Sequence, residues 1–221
     1  MRNKLKYIIL FFISFLLVSC ITNKDTRLLQ DKTGIHEYDS SAYQEYKLKP
    51  NDEIILMVNS LNKDITTAFN LGNQTNSQSM HYRIYKDGTV DIPFSDSIAI
   101  DGLTLQDAKN KIETRLKTVS EDVTVNLELY NNYFYLIGKS GKGQYKIYKD
   151  KLTIYQAIAL GKFSPGMGNL KEVKIIRQSE DGTPMVVTFD LRSKSIIESA
   201  YYYVQPNDVI YIESSKGSFF K

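Results

Sequence analysis

The sequence is poor in the residues on which many active sites depend. Its 221 residues include one cysteine and two histidines, and tryptophan is absent. A single cysteine excludes an intramolecular disulfide. Because His36 and His81 are the only histidines, no His and Cys cluster has the spacing of a metal site. Neither histidine lies near a sequence resembling the nucleophile turn of a serine hydrolase. We therefore expect no metal site, no cofactor and no enzymatic activity.

Long apolar segments are also missing. The longest apolar run covers residues 7–18, interrupted only by Ser14. A membrane-spanning helix needs about 20 apolar residues, so this run is too short to span comfortably. Its length, and the basic residues Arg2, Lys4 and Lys6 before it, are typical of a secretory signal peptide.

The apolar run ends at a cysteine. The residues LVSC at positions 17–20 resemble the lipobox of bacterial lipoproteins, in which the chain is cut before the cysteine and the thiol is acylated. The resemblance implies lipidation of Cys20, including a palmitate-type chain. An uncleaved anchor helix with an incidental cysteine is the alternative. Ile21 follows, where enteric bacteria use Asp for inner-membrane retention, so we expect an outer-membrane anchor that faces the periplasm.

Cleavage would also change the charge of the chain. The full sequence has 28 Lys and Arg against 25 Asp and Glu. The segment before Cys20 holds three basic residues and no acidic one, so the remainder has 25 of each. A neutral chain gives no reason to expect a nucleic-acid partner.

Patterns of helices and strands mix along the rest of the chain, which predicts an α+β fold. Residues 123–129 alternate apolar and polar side chains, as a half-buried strand does. Thr104 predicts the start of a helix that ends near Lys117, and Thr153 the start of one that ends at Gly161. Polar residues 62–79 predict a long loop. The dipeptide Asp87-Gly88 predicts a hairpin between residues 82–85 and 89–93.

These patterns divide the chain into five parts. We expect a signal peptide at residues 1–19, a lipidated tether at 20–42, two small domains at 43–130 and 131–214, and a short tail at 215–221.

One phrase occurs twice, as LKPNDEI at residues 48–54 and as VQPNDVI at residues 204–210. Proline fixes the first corner of a turn, asparagine tolerates the left-handed conformation, and aspartate can bond its own backbone. We interpret both copies as tight turns before buried strands. The structural turn residues predicted in the chain are Pro50, Asn51, Asp52, Asp87, Gly88, Pro206, Asn207 and Asp208.

The order of these motifs resembles the outer-membrane polysaccharide export (Wza-like) lipoprotein family. Its export domain opens with a tyrosine and a Pro-Gly-Asp turn, matched by Tyr46 and residues 50–52. A hairpin with Asp-Gly and a Gly-x-Thr helix start follow, matched by residues 87–93 and 102–104. The second domain resembles the soluble-ligand-binding β-grasp (SLBB) module. Asparagine stands in both turns where the family has glycine.

The resemblance implies a transport component and not an enzyme. Its subunits would form a homo-oligomeric ring that gives a capsular polysaccharide or exopolysaccharide a passage outward. The implied partner is an inner-membrane polysaccharide co-polymerase, often linked to a tyrosine kinase. Longer members continue into a membrane-crossing helix, whereas eight residues follow Glu213 here, so we expect a separate outer-membrane β-barrel to complete export. The alternative is a glycan-binding or envelope-scaffolding lipoprotein without transport activity.

Overall fold

The computed structural model describes residues 27–30, 43–75, 81–139, 141–163, 166, 168–179 and 182–215. Helices and strands mix as an α+β fold. The buried side chains in these ranges form two separate hydrophobic cores, one between Leu48 and Leu129 and one between Phe134 and Ile212. We refer to residues 43–130 as the first unit and to residues 131–214 as the second unit.

The described residues of the first unit form five strands and two helices. In chain order they are β1 (Glu53–Asn59), α1 (Lys63–Thr75), β2 (His81–Arg83), β3 (Thr89–Val90), β4 (Ile98–Ala99), α2 (Leu105–Leu116) and β5 (Thr124–Leu129). An antiparallel sheet has the order β2-β1-β5, and β3 pairs with β4 in a second, two-stranded sheet. Strand β5 buries every second residue, as its sequence predicted.

Helix α2 confirms the prediction from its N-cap. The Thr104 hydroxyl oxygen accepts a hydrogen bond from the Asp107 backbone N–H at 3.1 Å, which satisfies one of the free donors of the first turn. Ala108, Ile112 and Leu116 are buried, so the helix packs one apolar stripe against the first core.

The predicted loop at residues 62–79 is wrong over most of its length, because residues 63–75 form α1. Polar composition concealed a short apolar stripe, since Ile65 and Phe69 are four residues apart and only 4% and 2% exposed. The Asn62 side chain accepts a hydrogen bond from the Asp64 N–H at 3.0 Å near the start of this helix.

The predicted hairpin around Asp87 and Gly88 is wrong in its strand pairing. The turn exists, and the Gly88 N–H donates to the Tyr85 carbonyl oxygen at 3.0 Å. However, β2 pairs with β1 and β3 pairs with β4, so the strands flanking the turn belong to different sheets. A strong turn dipeptide fixes the local reversal of the chain, whereas the pairing partner is chosen by packing on the core.

In the second unit, the residues that the structure describes form five strands, one α-helix and one 3-10 helix. In chain order they are β6 (Tyr133–Gly138), β7 (Gly143–Lys146), α3 (Ile154–Leu160), β8 (Val173–Gln178), β9 (Pro184–Phe189), the 3-10 helix Lys194–Glu198 and β10 (Val209–Ile212). They form one sheet in the order β7-β6-β10-β8-β9. Strand β10 is parallel to β6, and every other pair is antiparallel.

Helix α3 begins with a complete capping box, in which Thr153 and Gln156 satisfy each other's backbone N–H groups. Its residues Ile154, Ala157 and Ile158 are buried in the second core. None of the helices that the structure describes has the length and apolar content needed to cross a membrane.

Candidate functional site: a cleft beside two aspartate turns

The two copies of the repeated phrase adopt the same turn. In the first, the Asp52 N–H donates to the Lys49 carbonyl oxygen at 3.1 Å, and in the second the Asp208 N–H donates to that of Gln205 at 3.2 Å. A hydrogen bond between the fourth and first residues defines a β-turn. Each turn delivers the chain into the middle of a sheet, through β1 in the first unit and β10 in the second.

The conformation explains the residue types in the turns. Asn51 has a φ of 72° and Asn207 a φ of 67°, both in the left-handed region. A positive φ at the third position is the mark of a type II turn, where glycine is most common and asparagine is tolerated. Pro50 and Pro206 occupy the second position, for which the proline ring presets φ.

Both turn aspartates are buried, with 3% exposure for Asp52 and 0% for Asp208. Each side chain folds back and accepts a hydrogen bond from the backbone N–H three residues earlier. The Oδ2 atom of Asp52 lies 2.9 Å from the Lys49 nitrogen, and that of Asp208 lies 2.8 Å from the Gln205 nitrogen. Each carboxylate therefore stabilises its own turn through a side-chain to backbone hydrogen bond.

The other partners of the Asp52 carboxylate are neutral side chains. The Tyr46 hydroxyl donates to Oδ2 at 2.8 Å, and the Asn131 amide donates to Oδ1 at 3.0 Å. Burial, followed by the Asp52 charge, raises the pKa of Tyr46 far above its ordinary value. The tyrosine is thus held protonated as a hydrogen-bond donor.

The Asp208 carboxylate instead pairs with a buried guanidinium. Arg177 donates from Nε to Oδ1 at 2.9 Å and from Nη2 to Oδ2 at 2.7 Å, and it also donates to the carbonyl oxygens of Ala200 and Tyr203. Burial raises the pKa of the Asp208 carboxyl, and the Arg177 charge and hydrogen bonds oppose that rise. The second turn therefore carries an internal ion pair that the first lacks.

Sequence reasoning missed Arg177, although a signal for it was present. Strand β8 alternates, and Val173, Ile175 and Arg177 all lie on its buried face. A charged residue in register with two buried apolar ones predicts a buried ion pair, because an unpaired charge there would be costly. Its partner could not be named, since Asp208 lies 31 residues further along the chain.

A short linker connects the two turns directly. Asn131 donates to Asp52 and accepts from the Glu53 N–H at 3.0 Å, so it holds the first turn and the start of β1. Two residues later, the Tyr133 carbonyl oxygen accepts from the Asn207 N–H at 2.7 Å in the second turn. The two turns are thus tied to one three-residue stretch.

A cleft of about 570 Å³ lies beside the turns, between the two units. Tyr46 and Lys49 line one side, and Arg177, Tyr201 and Gln205 line the other. The Arg177 guanidinium carbon lies 5.1 Å from the centre of the Tyr201 ring. Amides, hydroxyls and tyrosine rings in one cleft offer both hydrogen bonds and apolar ring faces, which suits a polar ligand with apolar faces.

The remaining predicted residues lie elsewhere. Asp87 Oδ1 accepts from the Thr89 N–H and hydroxyl at 3.1 and 2.8 Å, and Gly88 has a φ of 79°. A Cβ atom on Gly88 would approach the Asp101 Cβ to 2.5 Å, so the position has room only for glycine. Neither Asp87 nor Gly88 lines the cleft. Cys20 lies outside the described residues.

No group of three or more His, Cys, Asp or Glu side chains arranged to hold a metal ion occurs in the described part of the chain. Of the two histidines, His81 is described. Its ring centre lies 4.0 Å from that of Tyr130, and its Nδ1 lies 3.7 Å from a Glu53 carboxylate oxygen.

Comparison with known families identifies the first part of the chain. Residues 40–129 match the family model described as polysaccharide biosynthesis/export protein. The match includes the first aspartate turn and ends at the last residue of β5. It confirms the family resemblance drawn from the motifs, and the family is one of export proteins and not of enzymes. No curated protein matches the chain.

Proposed function

We propose that this chain is an export lipoprotein at the outer membrane. The proposal starts from the match of residues 40–129 to the polysaccharide biosynthesis/export protein family. Its subunits form an oligomeric conduit on the periplasmic side and pass a capsular polysaccharide or exopolysaccharide outward. The family match is the single observation that carries this proposal, because it ties the domain to polysaccharide export.

The strand order of the second unit supports an SLBB-type β-grasp domain. Numbered within that unit, the sheet order is 2-1-5-3-4, and the first and last strands are the parallel pair. A helix between the second and third strands packs its buried face on the same core. This arrangement is the one that the resemblance of residues 131–214 implies, so we assign those residues to a second domain.

Two features support a passage for sugars over catalysis. The cleft presents tyrosines, glutamine and cations together with the exposed Glu45, and the two buried aspartates beside it, Asp52 and Asp208, are hydrogen-bonded on both carboxylate oxygens. A general acid or base needs a free lone pair or proton at the reacting group. These two carboxylates are committed to structure.

The alternative is a glycan-binding or scaffolding lipoprotein, and the cleft is the observation that favours it. A cleft of about 570 Å³ could hold a few sugar units without any passage of polymer. In that case the inner-membrane co-polymerase would assemble and export polysaccharide in the absence of this chain.

Deletion of the gene in its own organism, with plasmid complementation, tests the proposal. We expect surface polysaccharide to fall and polymer to accumulate in the periplasm, with both effects reversed by the wild-type chain. The Cys20→Ser variant should fail to restore export, because stable anchoring requires acyl chains. Normal surface polysaccharide in the deletion strain would contradict the proposal and favour the scaffold. Electron microscopy of detergent-extracted protein would then show whether rings form.

A further inference from the structure

An apolar side chain is held out into solvent between β1 and α1. Leu61 is 91% exposed, the largest exposed fraction among the large hydrophobic residues that the structure describes. Single exposed apolar residues are normal on protein surfaces and by themselves indicate nothing. The Leu61 loop, residues 60–62, differs from an ordinary surface loop because side chains from two other segments fix its backbone.

Hydrogen bonds hold the Leu61 loop from two directions. The Asp122 carboxylate, just before β5, accepts from the Leu61 N–H and from the Ser60 hydroxyl. The Thr66 hydroxyl, on α1, donates to the Ser60 carbonyl oxygen at 3.0 Å and accepts from the Ser60 N–H at 3.2 Å. A segment that is already ordered loses little conformational entropy when a partner covers it. The loop therefore presents Leu61 in a form preorganised for contact.

The first unit also has an apolar groove of about 590 Å³ between β4 and the exposed side of α2. Ile98 and Ala99 line one wall, and Lys111, Thr114 and Thr118 line the other. The Thr114 and Thr118 hydroxyls donate to backbone carbonyl oxygens three or four residues earlier, at 2.8 and 2.7 Å, so both are already satisfied. The groove therefore presents mainly carbon atoms, and its volume is in the range that holds a ligand or an inserted side chain.

The loop and the groove are separate surfaces. Leu61 is not among the residues that line the groove. Both surfaces lie in stretches that the structure describes without a break, residues 43–75 and 81–139. A contact between two different surfaces of identical subunits is heterologous, and it closes into a ring when the rotation allows. A contact of this kind suits an oligomeric conduit, whereas a twofold contact stops at a dimer.

The charges beside the two surfaces are complementary. The Leu61 loop and the segment bonded to it carry three carboxylates and one lysine, which are Asp64, Glu121, Asp122 and Lys63. The groove lining includes Lys111 and Arg115 and no acidic residue. Arg115 pairs with Asp96 at 2.6 Å, whereas the Lys111 ammonium donates to the Ala99 carbonyl oxygen at 2.7 Å and keeps its charge unneutralised. An acidic loop and a basic groove favour a second copy of this chain as the occupant.

We propose that Leu61 of one subunit inserts into the groove of the next subunit, and that this contact repeats from head to tail around the oligomer. The inference deepens the proposed function, because it rests on the oligomeric conduit and assigns the surfaces through which its subunits meet. The contact removes the Leu61 side chain from water and places the carboxylates beside it near Lys111 of the partner subunit.

Disulfide cross-linking between cysteine variants of the purified full chain in mild detergent tests the contact. Leu61→Cys places a thiol on the loop, and Ala99→Cys or Thr114→Cys places one on either wall of the groove. A covalent dimer should form when the loop variant is mixed with a groove variant, and not from any variant alone. Lys109→Cys is the matched control, because it lies on α2 but outside the groove lining. The wild-type chain is the blank, since Cys20 is its only cysteine.

Sedimentation measures what the leucine contributes. Leu61→Ala should raise the dissociation constant roughly ten-fold to a hundred-fold, because it removes most of the apolar surface that the contact buries. Leu61→Met keeps the volume and should associate as the wild type does. Because Leu61 is exposed in the single subunit, neither change should shift thermal unfolding of the dilute chain. Thr114→Trp, which fills the groove, should weaken association as Leu61→Ala does, and Lys109→Trp should not.

The proposal is overturned if the wild type is monomeric, if the mixed cysteine variants give no dimer, or if Leu61→Cys cross-links to itself. It is also overturned if Leu61→Ala associates as tightly as Leu61→Met. Lost export in Leu61→Ala cells with unchanged association would assign the loop to a different partner and reject the contact between copies.

Failure of this contact and failure of the export role give different results. Export that persists in Leu61→Ala cells beside a failed cross-link would refute the contact alone. A dimer from the mixed variants, together with normal export in cells that lack the chain, would refute the export role alone.

Discussion

Replacing each buried turn aspartate by asparagine should destabilise the protein unequally. The two carboxylates hold the same turn, but Asp208 neutralises Arg177 whereas Asp52 accepts only from neutral groups. Asp208→Asn leaves a guanidinium that is 8% exposed without its counter-charge. Removing one partner of a buried ion pair costs about 3–5 kcal/mol.

The loss at the first turn should be smaller. In Asp52→Asn the new amide oxygen can still accept hydrogen bonds from the Tyr46 hydroxyl and the Lys49 N–H. The Asn131 amide, which donates to the other carboxylate oxygen, would then face the new NH₂ group and lose its acceptor. Leaving one buried donor unsatisfied costs about 1–3 kcal/mol. The expected difference between the two variants is therefore about 2 kcal/mol.

Urea unfolding at pH 7, followed by circular dichroism and tyrosine fluorescence, measures both losses. Arg177→Met completes a double-mutant cycle with Asp208→Asn, and we expect the double variant to lose about 2 kcal/mol less than the sum of the single variants. Equal losses for Asp52→Asn and Asp208→Asn, together with additive losses in the cycle, would refute the assignment of the ion pair as the difference between the turns.

Three further changes test other parts of the structure. Gly88→Ala should cost at least 1 kcal/mol more than Gly102→Ala in thermal melts, because both positions have positive φ but only Gly88 lacks space for a Cβ atom. Asn207→Gly should be tolerated while Asn207→Val loses about 1–3 kcal/mol, and equal melting temperatures would contradict the turn geometry. The hydrogen bond from Lys117 lowers the pKa of Glu113, so the stability that Glu113 contributes is present above its unfolded pKa of about 4.3 and is lost as the pH falls through its folded pKa. The stability gap between wild type and Glu113→Gln should thus shrink from pH 6 to pH 3, and a constant gap would argue against this ion pair.

Features with a local cause could be predicted from the sequence. The N-cap at Thr104 and the capping box at Thr153 lie within four residues of the groups that they satisfy, and both helices begin where the sequence indicated. The repeated turn is similarly local, because proline, asparagine and aspartate each act on their own backbone. The candidate site was visible only as these two turns.

Features with a distant cause could not be predicted. Helix α1 packs against β1 through Ile65 and Phe69 in the first core, although its own composition is polar. The pairing of β2 with β1 joins residues about thirty positions apart. The cleft is lined by Tyr46 and Tyr201, which lie 155 positions apart in the sequence, and no local pattern predicts that they share one cleft. In each case packing between distant segments decided the outcome, as it does wherever tertiary contacts outweigh propensity.

The linker at residues 131–133 has a mechanical consequence. Asn131 is hydrogen-bonded to the first turn and Tyr133 to the second. Both ends of this three-residue linker are therefore fixed, which limits its ability to act as a hinge between the two units. Lys49 of the first unit also donates a hydrogen bond from its ammonium nitrogen to the Gln178 carbonyl oxygen of the second unit, at 2.7 Å. Rotation of one unit against the other would break these part-buried hydrogen bonds. A force applied to the second unit would therefore move both units together.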